Sequence, residues 1–63
     1  MLSSVEMMFL KDVKARAKKG LYVSADEKAI VLRLVKREQV ALRPETLKSA
    51  KEKGFNVDGI KSL

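Results

Sequence analysis

Gln39, Ala41 and Arg43 stand two residues apart, with Val40 and Leu42 between them. In an extended strand this alternation places the first three side chains on one face and the two aliphatic ones on the other. One face can then join a core while the other offers an amide, a methyl and a guanidinium to a partner. Arg pairs best with guanine edges and Gln with adenine edges, whereas Ala41 can make only an apolar contact. A second set, Lys11, Lys14 and Lys18, recurs at helical spacing and shares one face. With Lys48 these cations suit phosphate neutralisation, although a lysine face of this kind is also the ordinary solvated side of a helix.

Other chemistry is restricted by what the chain lacks. It has no Cys and no His, which removes disulfides, the usual zinc sites, thiol nucleophiles and imidazole bases. No Ser/His/Asp set, glycine-rich phosphate loop or paired-carboxylate cleft is visible. The expectation is a non-enzyme that needs no cofactor and no metal.

Sixty-three residues form one domain at most. Chains this short often gain stability by oligomerising, so a homodimer is expected. The net charge is +6. Such a balance points to a polyanionic partner, DNA ahead of RNA; the competing reading is a mixed-charge surface of the kind common in heat-adapted proteins. Residues 1–20 carry +3, residues 21–43 +2 and residues 44–63 +1, so most of the excess lies before the Pro44 segment. No apolar run reaches membrane-spanning length, and no basic stretch precedes an apolar core at the N-terminus. These features imply a cytoplasmic protein without a membrane partner.

The elements that must position these groups follow from punctuation and periodicity. Residues 3–19 read as a helix opened by the Ser3/Glu6 capping-box spacing, with Val5, Phe9, Val13 and Ala17 as its apolar stripe, Met8 beside them and Gly20 just past its end. Ser24 and Glu27 repeat that spacing and open a second helix over 25–37, with Ile30, Val31, Leu34 and Val35 inward. A buried strand also fits the β-branched run from Ala29 to Val35. Residues 38–43 read as the strand. Pro44 starts a helix over 44–53, with Leu47 and Ala50 inward and Gly54 ending it. A short helix over 57–63, capped by Asn56 or Asp58, is expected last. Met1, Met7 and Met8 read as core filler, and Phe9 and Tyr22 as packed rather than stacked on bases.

The segment from Gln39 through Leu47, continued by Gly54-Phe55-Asn56-Val57-Asp58, resembles the ribbon–helix–helix family of Arc- and MetJ-type repressors and antitoxins; the resemblance covers residues 38–63. It implies a mainly α protein with one short strand, in which two copies pair their strands antiparallel in the major groove. Gln39, Ala41 and Arg43 would be the outward readers, and the function a DNA-binding transcriptional regulator or antitoxin. Ala50, Gly54, Phe55, Ile60 and Leu63 also resemble a helix-turn-helix, with residues 25–38 as supporting helix and Asn56, Asp58, Gly59 and Lys61 facing DNA. A third reading is a plain helical bundle, acting as an accessory or interaction subunit of a ribonucleoprotein or replication complex.

Overall fold

A computed structural model describes residues 1–63 as three α-helices and one short two-stranded parallel sheet. Helix α1 spans Ser4–Lys18 and α2 spans Ala25–Val31. Both start with a complete capping box: the hydroxyls of Ser3 and Ser24 accept from the backbone N–H of Glu6 and Glu27, whose carboxylates accept in return. Two otherwise unpaired amides are satisfied at each start. No helix is long and apolar enough to cross a membrane.

The predicted helix over 25–37 holds an α geometry only to Val31; Leu32–Lys36 form a wider π-helical turn. It ends at Arg37, in the left-handed region at φ 56°, whose N–H donates to the Leu32 carbonyl. A wider turn rotates the side chains beyond it relative to the preceding helical face. Ile30 is buried and Leu34 half-buried, but Val35, expected inward, is 60% exposed.

Strand β1 is Val40–Leu42, the centre of the predicted 38–43 strand, and α3 is Pro44–Lys53. Pro44 occupies the first helical turn, and Gly54 closes the helix at φ 99°. The chain then departs from expectation: residues 57–63 form no helix. Ile60–Ser62 are strand β2, pairing parallel with β1 in the register Val40–Ile60, Ala41–Lys61 and Leu42–Ser62. The sheet therefore has two strands where one was expected, and β1 has a partner within its own chain. Two local devices explain the change. The Asn56 side-chain oxygen accepts from the Asp58 N–H at 3.0 Å, forming a turn where a helix cap was expected. Gly59 then takes φ 81°, which breaks a right-handed helix. Helix α3 supplies the crossover that parallel neighbours require.

The core is small. Val13, Ile30, Leu42 and Ala50 are its buried apolar residues, with Leu42 fully enclosed. Phe9 and Phe55 meet edge-to-face, their centroids 5.3 Å apart. Buried Glu6 accepts from Ser3 N at 2.8 Å and Asn56 N at 3.1 Å, tying the start of α1 to the loop after α3. The expected α1 stripe is buried only in part: Val5 and Ala17 are exposed. Met1, Met7 and Met8 are exposed rather than core filler, and Tyr22 is 79% exposed rather than packed.

Candidate nucleic-acid interface

The alternation at β1 sorts its residues by burial. Leu42 is enclosed and Val40 half-buried, whereas Gln39 and Arg43 are exposed; Ala41 is half-buried. The Gln39 amide makes no hydrogen bond within the chain, but Arg43 does. Its Nε donates to Asp26 Oδ2 at 3.1 Å, and its Nη1 lies 3.7 Å from Glu45 Oε1. The same Asp26 oxygen accepts from the Thr46 hydroxyl at 2.6 Å. The Thr46 hydrogen bond and then the Arg43 guanidinium hold the Asp26 carboxyl below its ordinary value, against an opposing desolvation. Arg43 must therefore loosen an existing pair before it can address a base with both arms of its guanidinium.

A second hub joins the first two helices. Arg16 donates through Nη1 to Glu27 Oε1 at 3.2 Å and to the Tyr22 carbonyl at 3.1 Å, and through Nη2 to Glu27 Oε2. Asp12 adds a contact one turn away at 3.0 Å. The Arg16 hydrogen bond first, and the Ser24 backbone N–H next, lower the Glu27 carboxyl to about 2. A third tie runs from Arg33, whose Nε and Nη2 donate to the Asp58 carbonyl at 3.1 and 2.7 Å.

Every ion pair in the protein is thus made by an arginine, Arg16 or Arg43, and together they engage Asp12, Asp26, Glu27 and Glu45. The ten lysines behave differently. All are exposed and none forms an ion pair. Lys11, Lys14 and Lys18 lie along α1 and Lys48 on α3, each with an unengaged ammonium. No hydrogen bond or ion pair connects these lysines to Gln39, Ala41 or Arg43. Spacing along the sequence marks the lysine face and the alternating strand. It does not mark the pairs Arg16–Glu27, Arg43–Asp26 and Thr46–Asp26, whose members are 11 to 20 residues apart in the chain. The Ser24/Glu27 spacing is the one local sign that Glu27 is held in place.

No known protein family, curated protein or solved structure matches this chain.

Proposed function

We propose that this protein binds nucleic acid without catalysing a reaction, using its lysines to neutralise backbone phosphates. The observation that supports this reading is the division of labour among cations. The arginine pairs engage half of the eight acidic side chains, while all ten lysine ammonium groups face solvent unpaired. Flexible, strongly hydrated ammonium groups act as point charges toward phosphate, and releasing the counterions around the nucleic acid drives association. DNA is the favoured polymer in this proposal, because exposed Gln39 and Arg43 flank β1 and the Gln39 amide has no hydrogen bond within the chain.

The finer form of the proposal is a dimeric DNA-binding regulator or antitoxin that pairs strands between copies as ribbon–helix–helix proteins do, with β2 standing where that family's second helix would follow α3. It requires two copies to pair through β1, which has one neighbour, β2, in its own sheet. Cross-strand contacts between residues 38–43 of two copies are its signature.

The class-level proposal is tested by fluorescence anisotropy with a random-sequence duplex over a series of salt concentrations. Affinity should fall steeply with salt. Lys11→Ala/Lys14→Ala/Lys18→Ala should weaken binding to all sequences alike. It should also reduce the slope of log affinity against log salt by up to ~0.9 for each phosphate no longer neutralised. Wild-type protein that binds neither DNA nor RNA in a salt-dependent way overturns the proposal. An unchanged slope in the triple variant removes α1 from the interface.

A further inference from the structure

The largest concavity of the molecule lies away from β1. It is an open groove of about 690 Å³ between α1 and α2. Val13 and Val31 line its walls together with Leu21, Tyr22 and Leu32, and Lys28 is the one charged residue among its lining side chains. Leu21 is 55% exposed, Tyr22 79% and Leu32 36%. The groove is therefore an apolar surface in contact with water. Isolated exposed apolar residues are ordinary; a contiguous set along a concave surface is not.

The surface area of the whole chain agrees. A compact monomer of 7.1 kDa is expected to expose about 4,100 Å². The chain exposes 4817 Å². The excess of about 700 Å² is spread over the chain, Met1, Met8 and Leu63 included, and the groove side chains Leu21, Tyr22 and Leu32 are part of it.

Charge selects the occupant. Lys28 stands in the groove, Lys18 and Lys19 directly precede Gly20 at its end, and no acidic side chain lines it. A second copy of the chain, docked groove to groove about a two-fold axis, would bring this positive surface against itself. A partner with acidic flanks would instead meet opposite charge. An amphipathic helix carries apolar side chains at i, i+3, i+4 and i+7 that suit an apolar groove. We propose that the α1–α2 groove is a docking site for an acidic amphipathic helix of a partner protein. Lys11 and Lys14 do not line this groove, and under this proposal its occupation is independent of nucleic-acid binding at those two lysines.

The chain has one tyrosine and no tryptophan, so Tyr22 emission reports on the groove directly. The test titrates the full chain with a designed helical peptide carrying leucines on one face and glutamates on the other. The expected result is a saturable change in Tyr22 emission. Leu32→Glu and the loop variant Leu21→Ser should each weaken binding about tenfold or more, with circular dichroism confirming that helix content is retained. Lys28→Glu should weaken the glutamate peptide and strengthen a lysine-flanked one. Lys11→Ala/Lys14→Ala, which leaves Lys18 and Lys28 in place, should bind the peptide as the wild type does, whatever its effect on DNA. An emission change that never saturates, or equal affinity of the wild type for glutamate- and lysine-flanked peptides, overturns the proposal. A dimer in light scattering that dissociates in Leu32→Glu also overturns it, because a second copy is then the occupant.

Discussion

At the scale of single residues, Glu27 carries the most strongly perturbed charge. It accepts from Ser24 N and from both terminal nitrogens of Arg16, and it ionises at about 2 in place of 4.5. Its folded value lies below its unfolded one. The ionised carboxylate therefore stabilises the fold fully above about pH 4.5, and that contribution disappears as pH falls toward 2. Glu27→Gln should lower stability at neutral pH by about 1.5–3 kcal/mol, the range for hydrogen bonds to a charged group. It should also flatten the decline between pH 4.5 and 2. Urea midpoints across that range test it. Some slope should remain, because Asp26 and Glu6 are shifted in the same direction; a slope identical to wild type would show that the Arg16 contact does not depend on ionisation. The capping half of this site is legible in the Ser24/Glu27 spacing. The Arg16 half is not, because a contact between two helices has no local periodicity.

Gly59 shows the same limit in a turn. At φ 81°, a side chain on residue 59 would be strained, and an added Cβ would sit 2.7 Å from Arg33 Nη2. Gly59→Ala should therefore cost about 1–3 kcal/mol. Arg33→Ala in the same chain should relieve the crowding but keep the backbone strain, so the two changes should be non-additive in denaturant unfolding. Additive effects would show that the guanidinium simply moves aside.

At the scale of elements, starts and stops are more legible than identities. The capping boxes, Pro44 and the two helix-ending glycines, Gly20 and Gly54, each act through a local backbone requirement, and the structure places α1, α2 and α3 accordingly. Residues 57–63 mislead because Ile60 and Leu63 are three apart, a spacing that marks one helix face, whereas β2 ends at Ser62 and a strand would put the two on opposite faces. The deciding contacts lie elsewhere in the chain: the enclosed Leu42 on β1, the Arg33 clamp on the Asp58 carbonyl, and a Leu63 N–H that donates to the Leu42 carbonyl at 2.8 Å. Leu42 is consequently the residue on which the sheet depends. Leu42→Ala removes a fully enclosed side chain and should cost about 2–5 kcal/mol. A single core in a chain this short rarely provides more than about 3–5 kcal/mol in total, so the variant should be largely unfolded at room temperature. Circular dichroism decides this, and a folded variant with a native-like melt would place the centre of the core in the helices instead.

At the scale of the whole molecule, two surfaces are left without partners inside the chain, a lysine coat and an apolar groove. Only five of 63 residues are buried. Stability this marginal makes folding responsive to anything that binds the native state alone. A nucleic acid present at about one hundred times its dissociation constant should add about 2.7 kcal/mol, which for a domain of this size corresponds to a rise in melting temperature of roughly 10 °C or more. The rise should be large at low ionic strength and should largely vanish at high salt, because the bound state depends on phosphate contacts that compete with free cations. An acidic amphipathic peptide in the groove should also raise the melting temperature, but with weaker salt dependence, since apolar burial contributes most of its binding. Thermal melts with duplex DNA, with peptide and with both therefore separate the two surfaces. Independent sites give additive shifts, whereas a duplex that abolishes the peptide's shift would mean that the lysine coat and the groove belong to one interface. No shift with DNA or RNA at any salt concentration would mean that the lysines serve solvation alone, leaving the groove as the surface through which this protein acts.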